Sequence, residues 1–342
     1  MVIEALELVN FRNYDVRKLT FSHKNVFFTG PNGSGKTNLL ESIAFLSLLR
    51  SFRTASVREL VRLGAREFQL KAVVNKGSFR EQLKIVEQLS GKRLLEIDHR
   101  QIHRSSEFIR EFHTVVFSPE DRHIADGSSG NRRKFFDILL STVAPEYLHR
   151  LSRYHRALMQ RNRALKQNAA IASAFDSELA DNAPYIAAKR REYAALIAAA
   201  VSELLQGKAE FAVNYRSDTP ETAQEYQKLL ESRREYDAKR CCTMTGIQLD
   251  EFEFLFNGKL LRSFGSTGQI RLISLLLKLA HFKLVRTSAA IPVAVLADDV
   301  TGELDEANLS LFLQNISAAD QLFFTFAEPP RFQLPDSQEI KL

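Results

Sequence analysis

The stretch Gly30-Pro31-Asn32-Gly33-Ser34-Gly35-Lys36-Thr37 is the part of the chain best equipped for chemistry. Glycines at 30, 33 and 35 let successive backbone N–H groups turn toward phosphate oxygens, and a following helix presents its positive end to the same charge. In that arrangement Lys36 reaches the β- and γ-phosphates of a nucleoside triphosphate and the Thr37 hydroxyl ligates Mg²⁺. Asn32, Ser34 and Asn38 belong to the same lining. An ordinary turn before a helix gains nothing from Gly-Lys-Thr.

Two further groups match that chemistry. Gly265-Ser266-Thr267-Gly268-Gln269 opens a helix that continues to Ala280, so Ser266, Gly268 and Gln269 form a second anion-binding helix start. By itself this is weak, because Ser and Gly also cap helices for structural reasons. The apolar run 291–297 then ends in Asp298-Asp299. In a phosphate-loop protein an acid at a strand end meets Mg²⁺, the role expected of Asp298, with Asp299 left to orient or polarise the attacking water.

The elements that must hold these residues are legible from periodicity. Val26-Phe27-Phe28 reads as the strand entering the loop, and the helix after it runs to about Leu49. Residues 2–9 and 15–21 read as a preceding hairpin, and 69–74, 81–88 and 93–97 as strands that continue it in an antiparallel sheet. Thr114–Phe117 is a buried-type strand. From Ser128 to about Ala200 the chain is helical and charged. Over Pro145–Gln167 Tyr147, Leu151, Tyr154, Leu158 and Leu165 share one face, with Arg153, Arg156 and Arg163 opposite. A second long helix is expected over 175–205. Beyond it come a strand at 210–215, a helix at 220–240, and strand candidates at 247–249 and 253–256 with a turn at Asn257-Gly258. A helix to about Asn315 and a strand at 322–326 end the series.

Composition narrows the class. The 342 residues carry a net charge of +6 and are 45% hydrophobic, with no run near the ~20 apolar residues of a membrane span. Cys241 and Cys242 are adjacent, which suits neither a disulfide framework nor a metal knuckle and points to a reduced, cytoplasmic setting. The arginine face has two readings: a solvated surface that keeps the helices soluble, or a surface that tracks the phosphates of duplex DNA. Arg132 and Arg133, at the start of the helical region, add to the second.

The order of loop, S-x-G-Q helix, paired acids and Glu303-Leu304-Asp305 resembles the heads of ABC-type ATPases in the structural-maintenance and DNA-repair branch. Phe11-Arg12-Asn13, Ser51-Phe52-Arg53, Ser118-Pro119-Glu120, the run 131–137, the run 160–167 and the acids at 298–305 each resemble segments of the RecF family. That resemblance implies an α/β fold: an ABC-type P-loop ATPase head with an antiparallel β subdomain, plus an inserted α-helical arm. The head takes 1–127 and 207–342, and the arm 128–206 or on to about 240. It also implies ATP held between two copies, with Lys36, Thr37 and Asp298 of one facing Ser266, Gly268 and Gln269 of the other, Asp305 in the connecting loop, and Arg12 and Asn13 beside the nucleotide. The ATP-closed homodimer would clamp duplex DNA near gaps or junctions and act with RecR, RecO and RecA.

Three departures stand out. Gly246-Ile247-Gln248 replaces a common Gly-Pro-His, Phe175 a common Trp, and Asp299 the Glu of related machines, so hydrolysis is expected to be slow. Two other functions share the loop logic: the ATPase subunit of a membrane transporter, and a structural DNA tether.

Overall fold

The structure is a computed structural model that describes residues 2–288, 291–328, 330 and 332–342. In chain order it begins with strands β1 (Ile3–Phe11), β2 (Tyr14–Thr20) and β3 (Asn25–Thr29) and helix α1 (Lys36–Leu48). Next come β4 (Glu67–Asn75), β5 (Arg80–Gln88), β6 (Arg93–Ile97), β7 (Arg100–Ile102), α2 (Ser105–Phe108) and β8 (His113–Phe117). The helices α3 (Arg122–Ala125), α4 (Ser129–Val143), α5 (Pro145–Gln167) and α6 (Asp176–Leu205) follow. After these lie β9 (Phe211–Arg216), α7 (Ala223–Arg240), β10 (Glu251–Phe256), β11 (Lys259–Leu260), α8 (Leu261–Phe264) and α9 (Thr267–Ser288). The chain closes with β12 (Val293–Asp298), α10 (Glu306–Ile316), β13 (Gln321–Phe326) and β14 (Ser337–Lys341).

The chain divides into two compact units, Met1–Asp121 with Phe282–Leu342, and Arg122–His281. The first holds two sheets. One is parallel, in the order β14-β3-β13-β12-β8, and its β8, β12 and β13 are buried at every position, as strands covered on both faces must be. The other is antiparallel, in the order β2-β1-β4-β5-β6-β7, with β4 and β5 alternating between buried and half-exposed positions. A single apolar cluster that includes Leu8, Phe28, Ile43, Phe45, Phe68 and Phe323 ties α1 to both sheets. Because α1 is enclosed nearly all round, it is fixed at its N-terminus, where the phosphate loop delivers it.

The second unit is built on α5 and α6, with the sheet β11-β10-β9 beside them. Tyr147, Leu151, Tyr154, Leu158 and Leu165 are buried along α5 as its periodicity requires. The unit is larger than the expected arm, because residues beyond 206 are tied to the long helices by buried ion pairs. Arg161 on α5 holds Asp176 and Asp237, each at 2.7 Å, and Arg190 on α6 holds Asp250 at 2.7 Å and Asp137 at 2.9 Å. The strand expected at 247–249 is instead a 3₁₀ turn, entered at Gly246 with φ 112° and anchored where the Ile247 carbonyl accepts from Arg190. Asn257 and Gly258 form the expected two-residue hairpin turn, both with positive φ. Among the described residues no helix is long and apolar enough to cross a membrane.

Candidate nucleotide-binding site

The loop between β3 and α1 has the backbone its sequence demands, with φ of 151° at Gly30, 85° at Gly33 and 103° at Gly35. Two of these glycines are also required by space. A Cβ on Gly30 would stand 2.6 Å from the Leu342 carbonyl oxygen, and one on Gly35 would stand 2.5 Å from the Tyr14 hydroxyl. Gly35 is the N-cap of α1 and carries no capping side chain, so the first-turn N–H groups have no side-chain acceptor there. Among the described residues the Ser34 Oγ is buried with no hydrogen-bond partner, as is the Tyr14 hydroxyl over Gly35. A buried hydroxyl without a partner is costly, and a phosphate oxygen seated in the loop would relieve it. Lys36 folds back over the loop, donating from Nζ to the carbonyls of Gly30 at 2.7 Å and Pro31 at 2.8 Å.

Behind the loop the hydroxyl of Thr37 donates to Asp298 Oδ1 at 2.8 Å, and Thr325 on the neighbouring β13 donates to the same oxygen at 2.8 Å. Asp298 ends β12 at 7% exposure. Burial pushes its carboxyl above the usual aspartate range, while the Thr37 and Thr325 hydrogen bonds and the nearby Arg53 pull it back. Asp299 leaves the strand in the left-handed region, φ 52°, with its N–H on the Thr325 hydroxyl at 3.0 Å and its side chain exposed. The chemistry of Thr37 and Asp298 suits Mg²⁺: one hydroxyl and one carboxylate of hard oxygen, the sparse protein share typical of that ion in phosphate sites. Among the described residues no larger cluster of His, Cys, Asp or Glu gathers that could hold a metal.

Arg12, expected beside the nucleotide, is held by its own chain next to Asn13, which bonds Asn38 just after the loop. Its guanidinium grips the fully buried Glu41 with two bonds, at 2.7 and 2.6 Å, and donates a third to the Glu59 carbonyl at 2.9 Å. Asn13 accepts from Asn38 at 2.8 Å, and Asn38 in turn accepts from Arg53 at 2.9 Å. Arg53 lies beside them, 42% exposed, at the edge of Glu41 and close enough to act on Asp298. Its motif is visible in the sequence, but its position beside Asn38 depends on the turn after α1.

Ser266, Gly268 and Gln269 lie in the second unit. The Ser266 N–H donates to the Gln269 side chain at 2.8 Å, and the Gln269 N–H donates to the Ser266 hydroxyl at 3.3 Å, a reciprocal cap on α9. Gly268 is exposed, and a Cβ there would meet nothing within 4 Å. Among the described residues nothing crowds that position. Asp305 caps α10 by accepting from the Asn308 N–H at 2.8 Å.

The arginines expected on a DNA surface separate into two groups. Arg132 is 2% exposed, pairs with Glu251 at 2.6 Å and donates to the Gly127 carbonyl, so it belongs to the core and not to a surface. Arg133 is half-buried against the Asp250 carbonyl, and burial lowers its pKa. Arg153 is paired with Glu178 on α6 at 2.5 and 2.7 Å. Arg156 and Arg163 are exposed, with no hydrogen bond or ion pair among the described residues.

A parallel sheet that carries a phosphate loop on one strand and paired acids on another, with an antiparallel sheet packed through a shared core, is the head of an ABC-type ATPase. The family model described as RecF/RecN/SMC N terminal domain matches residues 2–333. A RecF protein of Lysinibacillus sphaericus, named DNA replication and repair protein RecF, is 34% identical over 95% of this chain and 92% of its own length. A solved structure of the recombination mediator protein RecF with ATP in the RecFOR pathway superposes with a TM-score of 0.90 at 26% identity, covering 99% of this chain and 95% of that one. An Smc head domain from Pyrococcus furiosus shares the fold at a TM-score of 0.51 and 15% identity. The chain belongs to the RecF/RecN/SMC N-terminal domain family, in its RecF branch.

Proposed function

We propose that this chain is an ATP-dependent DNA-binding protein of recombination and repair, in which ATP closes two copies around duplex DNA. The observation that carries the nucleotide half is the Thr37 to Asp298 hydrogen bond at 2.8 Å behind a loop whose Ser34 hydroxyl is buried without a partner. It joins the residues that would share Mg²⁺ and leaves the phosphate seat unsatisfied. When bound, Mg²⁺ supplies Lewis-acid polarisation of the phosphoryl oxygens. Lys36 exchanges its loop carbonyls for phosphate, Thr37 and Asp298 orient the cation, and Asp299, on its left-handed backbone, positions water. An aspartate reaches one methylene less far than a glutamate, so turnover is slow and the bound state long-lived.

The second copy enters through Gly268. A glycine exposed at a helix start, with no described residue within 4 Å of a Cβ placed there, is suited to close approach by a ligand held elsewhere. In the closed pair Ser266, Gly268 and Gln269 of one copy meet the ATP held by Lys36 and Thr37 of the other, and Asp305 lies in the connecting loop. Arg156 and Arg163, exposed on one helix, supply phosphate contacts. RecR, with RecO and RecA further on, are the partners this reading assigns, in the reducing cytoplasm. The relatives' names and the RecF–ATP structure support it.

The test is retention of blunt duplex, gapped duplex and single-stranded DNA with and without ATP over a salt series. ATP-dependent retention of duplex, strengthened by a gap, is expected, and affinity should fall steeply as salt rises. ATP-independent bridging with no substrate preference would instead mark a tether, and copurification with a membrane permease a transporter subunit.

A further inference from the structure

The helical unit carries a cavity of about 520 Å³ that is remote in sequence from the phosphate loop. Its walls are His149, Arg153, Arg156 and Gln160 along α5, with Phe175 and Glu178 at the start of α6. The α5 residues recur every three or four positions and so form one stripe on the helix. Glu178 does not make the cavity acidic, because both its oxygens are taken by Arg153. The surplus charge is Arg156, exposed and without an ion-pair partner among the described residues. Phe175 is half-buried and packs against the small cluster of Ala164, Leu165 and Ala172 while it also lines the cavity. It is an aromatic wall anchored from behind.

A flat apolar wall, a spare guanidinium, an imidazole and a carboxamide together select an anion with a planar, hydrogen-bonding body. A metal ion is disfavoured by the cationic lining, and a carboxylate side chain would leave both the ring and most of the volume unused. Bases inside a duplex expose no face to a wall of this kind, whereas an unpaired base does. We propose that this cavity holds one unpaired nucleotide of single-stranded DNA, its base stacked on Phe175, its phosphate on Arg156 and His149, and its edge against Gln160. The proposal rests on the DNA-binding reading and adds to it a way of sensing where a duplex ends.

The test uses the full-length chain and oligonucleotides with a fluorescent adenine analogue at one unpaired position, in single strands and in gapped duplex, beside blunt duplex and a free deoxynucleoside monophosphate. Stacking should quench the analogue. Phe175→Ala should abolish the quenching and weaken single-strand binding roughly tenfold, leaving blunt duplex unchanged. Phe175→Tyr, which keeps the ring, should keep the quenching, and thermal melting shows whether the alanine variant is folded. Arg156→Glu, a surface change, should reduce the magnitude of the single-strand salt slope by about 0.7 or more. Wild-type quenching in a folded Phe175→Ala, a loss on blunt duplex by Phe175→Ala equal to its loss on single strands, or competition by the free monophosphate as strong as by the oligonucleotide would each overturn the assignment. Failure of the wild-type chain to retain DNA of any form would overturn the DNA-binding reading with it.

Discussion

Asp298 is held where its charge is unwelcome. It is buried, it accepts from Thr37 and Thr325, and desolvation still raises its carboxyl above the ordinary range. A carboxyl raised in the folded state stabilises the fold while protonated, and that contribution is lost as pH rises through its folded pKa. The ionised form thus stores a cost that Mg²⁺ would relieve. Asp298→Asn keeps an oxygen for the two hydroxyls and removes the charge. Its nucleotide-free melting temperature is expected to equal or exceed that of the wild type at neutral pH, while the extra stabilisation from adding Mg²⁺ to ATP disappears in thermal-shift measurements. A large loss of nucleotide-free stability would show that the carboxylate serves the fold. Lys36→Ala should leave the fold intact, since among the described residues Lys36 donates to loop carbonyls alone, and should abolish most of the ATP-induced shift. At this scale the sequence is a good guide wherever one short segment carries the chemistry. It misleads at Arg132, which Glu251 draws inward from 119 positions away, and it gives no sign that the fork of Arg12 is held by Glu41 29 positions on.

The same division holds for elements. α5 spans the residues its apolar spacing marks out, and β4 and β5 follow their alternation, because burial on one face leaves a period in the sequence. β14 leaves none. Its five residues, SQEIK, are short and polar, and they form a strand because the edge of β3 accepts them in parallel register. Nor does periodicity show that α6 carries a buried Arg190 that joins Asp137 and Asp250, which is why the second unit extends past the expected arm. Arg190→Met would leave both carboxylates without their cation, held among the described residues only by the Tyr147 and Tyr215 hydroxyls, and urea unfolding should register a loss of about 3–5 kcal/mol. The α9 start separates local from intermolecular roles. Ser266→Ala removes one half of a reciprocal cap and should cost about 1 kcal/mol of stability. Ser266→Arg keeps α9 folded but places a long cation where the second copy's nucleotide would come.

For the molecule as a whole, the loop, Thr37 and the paired acids are built in the first unit, and the Ser266 helix start belongs to the second. Under the proposed reading a nucleotide held by the first unit of one copy and the second unit of another would report on assembly. The central claim is that ATP closes two copies, and sedimentation velocity of the wild type and Ser266→Arg, with and without Mg²⁺ and ATP, tests it most directly. The wild type should pass from monomer to dimer on adding ATP, while Ser266→Arg binds ATP with unchanged affinity and stays a monomer. An ATP-independent mass for the wild type, or an ATP-driven dimer of Ser266→Arg, would contradict the composite site.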